Sequence, residues 1–219
     1  MRRLMLVTAA LSLGVVGTPA FAGLAAPPTE LSVKDNAFDP ASPQPRDFQS
    51  GPSFHWQRDI SSTGNHNIRQ DDKLFRSGDP TKGPIDFAVS ASAGSYHYYC
   101  EVHGSAGGSP SNGMNGIVRV RPLQTGPLTV REFDTFGVRW GDAGTTTGSL
   151  FDVRYRTGGA PWKIWFNDTK KTHATFGNHK RPAKVVSGRT FKVSVRSEKT
   201  NTSKRSGWSP PVSYKLTSP

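Results

Sequence analysis

The feature that most restricts the fold is a two-residue alternation confined to short segments. In "GSYHYYC", residues 94–100, Tyr96, Tyr98 and Cys100 fall on one face and Ser95, His97 and Tyr99 on the other, the period of a strand with one buried side. The same alternation places Phe54 with Trp56, then Ile85, Phe87 and Val89, then Val118 with Val120. It returns at Val138 and Trp140, at Val153 and Tyr155, and at Phe191, Val193 and Val195. Gly, Pro and Ser clusters separate these segments, and no amphipathic run of helical length interrupts the first half. Short alternating strands with frequent turn signals predict an all-β protein built of sandwiches.

The chain is long enough for two such units, and its charge divides it. Residues 23–124 carry 9 Lys/Arg against 10 Asp/Glu, whereas residues 125–219 carry 17 against 6. Two prolines and a glycine bracket the stretch between Pro122 and Pro127 and mark a boundary. The expected organisation is a first domain over 23–122, a linker at 123–126 and a second domain over 127–219. Ahead of these, Arg2 and Arg3, the apolar run Leu4 to Val16 and Ala20-Phe21-Ala22 read as a signal peptide over 1–22. The protein is therefore expected to be secreted, periplasmic or on the cell surface. That apolar run is too short to span a bilayer, and no later segment is continuously apolar, so no transmembrane segment is expected.

Exported chains use cysteines in pairs, but this one has only Cys100, which leaves a thiol that needs a role. His103 lies three residues on, and Met114, the one methionine outside the N-terminal segment, follows eleven residues later. A thiolate, an imidazole and a thioether form a soft donor set that suits copper. His66, 34 positions before the cysteine in "GNHNI", completes a trigonal His₂Cys arrangement with a weak axial Met. Taken singly, Cys100 and Met114 read equally well as core fillers; the joint pattern is harder to obtain from packing. His55 and His97 alternate away from the core positions and read as surface histidines.

On these residues the first half resembles the cupredoxins, the plastocyanin and azurin type of blue copper protein. The resemblance is carried by "FHW", "NHN", "DDKLFRSG", "GSYHYYCEVH" and "GMNGIVRV", and spans most of residues 30–121. It implies a Greek-key β-sandwich and one type 1 copper ion, with His66, Cys100 and His103 as equatorial ligands and Met114 as axial ligand. It also implies that Asn67 helps to hold the cysteine loop, and that electrons pass through His103 or by way of Tyr99 to a redox partner. The loop between His103 and Met114 is longer and richer in glycine than in the smallest members.

Other chemistries fit less well. A multicopper oxidase needs several His-x-His pairs, and the chain has none. A zinc hydrolase would gain little from Met114 and lacks an evident carboxylate base. An electron-transfer protein rather than an enzyme is therefore expected, with extracellular copper transport or storage as the alternative. A further alternative is an adhesion protein in which the metal is incidental.

The second half resembles a fibronectin type III domain, with Trp140 as the buried tryptophan, Tyr155 on the next strand and "SGWSPPVSYKLT" as the last strand. Phe191 stands where that fold usually has a hydrogen-bonding tyrosine. Lys170, Lys171, Lys180, Arg181, Lys184, Lys204 and Arg205 gather around two expected loops and would attract an anionic cell-wall or extracellular polymer. No reading motif accompanies the charge, so no specific nucleic-acid partner is expected. A monomer is expected.

Overall fold

The computed structural model describes residues 26–126, 129–130, 135–177, 182–185, 188–200 and 202–216. The expected signal peptide, 1–22, lies outside the described residues, as do Lys180 and Arg181. Every regular element described is a strand, and among the described residues no helix is long and apolar enough to cross a membrane.

In the first half, β1 (Thr29–Lys34), β2 (Ala37–Asp39), β4 (Phe54–Arg58) and β6 (Asp86–Val89) make one sheet in the order β2-β1-β4-β6. A second sheet has the order β3-β8-β7-β5, from β3 (Arg46–Asp47), β5 (Arg69–Gln70), β7 (Gly94–Tyr99) and β8 (Asn115–Arg121). Their inner faces share one apolar cluster that includes Phe54, Trp56, Tyr96, Tyr98, Val118 and Val120. Trp56 stands edge-on to Tyr98 with ring centres 5.1 Å apart. The aromatic strand leading to Cys100 is thereby locked against the opposite sheet.

In the second half, β9 (Leu123–Thr125), β11 (Phe136–Arg139) and β14 (His173–Phe176) form a three-stranded sheet in the order β14-β11-β9. It faces a five-stranded sheet, β10-β16-β15-β12-β13, built from β10 (Thr129–Val130), β12 (Leu150–Thr157), β13 (Lys163–Thr169), β15 (Thr190–Glu198) and β16 (Val212–Leu216). Phe136, Val138, Trp140, Val153, Phe191, Val193 and Val195 fill the space between them. Leu123–Thr125, expected as linker, pairs antiparallel with β11 from Gly137 to Arg139. Phe191 fills the core without a hydroxyl, while Tyr155 and Tyr214 donate to the carbonyls of Pro182 and Gly137 at 3.2 Å. On the outer face, Arg154 lies over both Trp162 and Trp208, Arg156 over Trp162 and Arg196 over Trp208. This is a cation–π ladder.

The two halves meet along a buried polar seam. Tyr96 Oη donates to the Ser92 carbonyl at 2.8 Å and lies 3.1 Å from Thr147 Oγ1 and 3.0 Å from Ser197 Oγ. Ala93 N donates to the Trp140 carbonyl at 2.8 Å, and Ser95 and Gly207 exchange two backbone bonds. Ala93 belongs to the second half's core cluster. Because Tyr96 lies on β7, which ends one residue before Cys100, the seam braces the element that leads to the cysteine.

His55 shows how the outer face of the first sheet is held. Its Nε2 is 2.5 Å from Asp86 and its Nδ1 2.9 Å from Glu30, so both flanking strands contribute a carboxylate. The hydrogen bond to Asp86 raises its pKa against the opposing effect of burial, with further help from Glu30. A raised folded-state value means the ion pairs stabilise the fold fully below the unfolded histidine pKa of about 6.5 and that this contribution is lost as pH rises through the higher folded value. The stability difference between wild type and His55→Gln, measured by urea unfolding, should be larger near pH 5.5 than near pH 8.5 (roughly one unit below and two above that unfolded value).

Candidate metal centre

Three separate backbone constraints bring the sulfur and the imidazoles together. His66 lies between β4 and β5, where it exchanges two 3.0 Å backbone bonds with Thr81. Cys100 directly follows β7. The chain then turns back, with Gly104 N donating to the Cys100 carbonyl at 2.9 Å and Met114 N to the His103 carbonyl at 3.0 Å. Cys100 N donates to the Met114 carbonyl at 3.0 Å and closes the loop. Only glycine fits at 104, since a Cβ there would stand 2.3 Å from the Met114 carbonyl oxygen.

Within this frame Cys100 Sγ lies 3.9 Å from His66 Nδ1 and 3.7 Å from His103 Nδ1. The donor atoms of His66, Cys100 and His103 all lie within 4.8 Å of one another, and the group could hold a metal ion. With metal–sulfur and metal–nitrogen bonds of about 2.3 and 2.0 Å, ligands at 120° stand about 3.7 Å apart and ligands at a tetrahedral angle about 3.5 Å. Both sulfur–nitrogen separations sit nearer the trigonal value. The two imidazole rings are tilted by 47° with centres 4.8 Å apart.

Burial sorts the residues. His66, Cys100 and Met114 are fully buried, and Met114 shares the apolar cluster of Cys100. His103 is only partly covered. Burial, followed by the neighbouring His66, holds the His103 pKa below the ordinary histidine value, which favours the neutral imidazole that a metal requires. Tyr99 is half-buried at the end of β7, paired with Arg69 and Asn115. His97 is exposed.

The chain matches no protein-family profile and no curated protein.

A ring of polar groups surrounds the donors. Asn67 Oδ1 accepts from Glu101 N at 2.9 Å, and its Nδ2 donates to the Gly78 carbonyl at 2.9 Å and to Glu101 Oε2 at 2.5 Å. Asn67, next to one imidazole, therefore ties down the residue that follows the cysteine. Glu101 also pairs with Arg69 and Arg76. Burial disfavours its charged form, but Arg76, Asn67 and Arg69 together outweigh burial and bring its pKa down to about 2. Asn115 Oδ1 accepts from Ser105 N at 3.1 Å and so fixes the glycine-rich loop.

Behind His66 stands Asp35, at the start of the β1–β2 turn, 2.9 Å from the imidazole Nε2. Asp35, Glu101, Arg69 and Arg76 carry no sequence signal as neighbours of this cluster. Asp35 reads locally as a turn residue in "KDNA", and Glu101 reads as a solvated charge.

The expected cation patch is divided. The register that sets Phe151 opposite Thr169 and Leu150 opposite Glu198 places Lys170 and Lys171 at the same sheet end as Lys204 and Arg205. Lys184 instead borders a pocket with Tyr155 and Arg156, and Tyr155 pairs near the opposite end of the sheet, with Lys163. Lys170 and Lys171 line an open pocket with Trp165, Phe166 and His173. Arg205 is 3.5 Å from Glu198.

Proposed function

We propose that this chain is an exported, cupredoxin-like electron-transfer protein in which His66, Cys100 and His103 hold one copper ion and Met114 is the axial ligand. The observation that carries the reading is the convergence of one sulfur and two imidazole nitrogens within 4.8 Å of one another, with both sulfur–nitrogen separations near the trigonal value. The donor set fits the ion: a thiolate with two imidazoles, backed by a buried thioether, matches copper better than hard-ligand metals. Copper in such a site supplies a single-electron couple between Cu(I) and Cu(II).

The residues around it supply the conditions for fast transfer. Two ligands lie on segments crosslinked by Asn67, and the loop carrying the third is closed by backbone bonds at Cys100, Gly104 and Met114, so the donors resist rearrangement. His103 is the partly exposed donor and Val102 beside it is 53% exposed. That is where a redox protein would make the small contact typical of transient transfer. The alternation of sheets in the second half supports a fibronectin type III-like module. Its cations, at two sheet ends, would tether the protein to an anionic extracellular polymer.

The test is a titration of Cu(II) into purified, metal-free full-length protein. A strong visible thiolate-to-copper absorption, bleached by a reductant and restored by an oxidant, is expected at one ion per chain. A colourless complex, or one that binds Zn(II) in preference and gives no such band, overturns the reading.

A further inference from the structure

Resting on the copper reading above, we propose that Asp35 positions and tunes His66: its carboxylate accepts a hydrogen bond from Nε2–H, leaves the Nδ1 lone pair facing Cys100, and favours Cu(II) over Cu(I).

The geometry leaves little choice of tautomer. A neutral imidazole has one N–H and one lone pair, and an ionised carboxylate can only accept. Since Nε2 is 2.9 Å from Asp35 Oδ1, the proton belongs on Nε2, and Nδ1, 3.9 Å from Cys100 Sγ, is the free donor. His66 is wholly buried, while the Asp35 side chain is 41% exposed. The carboxylate thus connects a buried ring to solvent.

Asp35 is itself held in a dedicated cradle. Ser62 Oγ, Thr63 N and Gly64 N each donate to its Oδ1 at 2.9 Å, and Thr63 Oγ1 donates to Oδ2 at 3.0 Å. Gly64 has to be small, because a Cβ there would stand 2.7 Å from His66 Nε2. Arg58 donates to the carbonyls of Ser62 and Gly64 and secures the loop from its other side. Two stretches of chain about thirty residues apart are therefore organised around one carboxylate–imidazole contact. Such outer partners orient a ligand ring and raise its basicity, and a more basic ligand with a negative charge behind it favours the more positive ion.

Two readouts test this. In metal-free full-length protein, ¹⁵N NMR should show His66 protonated at Nε2; protonation at Nδ1 overturns the proposal whether or not the protein binds copper. In Asp35→Asn, Cu(II) affinity should fall about 10–100-fold and Cu(I) affinity by less. If the two losses differ tenfold, the reduction potential rises by about 59 mV. Thr63→Val loosens the cradle without touching His66 and should leave the potential in place. Equal losses for both ions, or an equal shift in Thr63→Val, would make Asp35 a loop anchor only and overturn the tuning role. If wild type binds no copper while the NMR result holds, the metal reading fails and the tautomer assignment stands.

Discussion

Replacing Cys100 with serine should abolish the intense visible absorption of the copper-loaded protein and weaken Cu(II) binding by more than about 100-fold, since loss of a mere outer-shell partner already costs 10–100-fold. The sulfur lies close to both imidazoles, at 3.9 and 3.7 Å, and a serine hydroxyl offers neither its softness nor an accessible negative charge. The strand hydrogen bonds at this point, Cys100 N to Met114 and Gly104 N to the Cys100 carbonyl, are made by backbone and survive the change. Circular dichroism should therefore be unaltered while absorption and affinity collapse. Retention of the band in Cys100→Ser would remove the thiolate from the site, and the electron-transfer reading with it.

The second large effect is expected far from the metal cluster. Trp140→Ala should destabilise the protein by about 3–5 kcal/mol, the range for deleting a buried aromatic side chain. The indole is fully buried, lies 6.2 and 6.1 Å from Trp165 and Phe166 between ring centres, and donates through Nε1 to the Lys171 carbonyl at 2.7 Å. Its own carbonyl accepts from Ala93, so the damage falls next to the seam between the halves. Tyr96 depends on Thr147 and Ser197 across that seam, and a buried hydroxyl deprived of partners is costly. The melting midpoint of the second half and the loss of the copper absorption should therefore move together. An early melting of the second half with an unmoved copper signal would show that the halves are energetically independent.

The seam also changes the meaning of a truncation at residue 126. Cutting there removes charge and the proposed tether, but it also strips Tyr96 of two partners and uncovers Ala93. Loss of metal affinity in the shortened chain would then report a weakened β7 strand, and Tyr96→Phe is the control that separates the two effects.

What could be read in advance follows from which interactions are local. Alternation along residues 94–100 dictates that Tyr96, Tyr98 and Cys100 share a buried face, because successive strand side chains must point to opposite sides. The same rule placed Trp56, Trp140, Val153 and Phe191 in the cores. Neighbours at short spacing, Cys100 with His103, were legible for the same reason. The Leu123–Thr125 strand was not, because its proline and glycine flanks resemble a linker until β11 offers it an edge.

By itself, the sequence determined the all-β class, the buried faces and the soft character of the donor set, since these depend on residue type and on a period of two. Only the tertiary structure decided that Asp35 stands behind His66, that Glu101 is tied to Asn67, Arg69 and Arg76, and that Tyr96 joins the halves. Such contacts link residues 25 to 101 positions apart, where strand pairing and loop closure set the partner and a charged or hydroxyl side chain looks locally the same whether it faces water or a buried group.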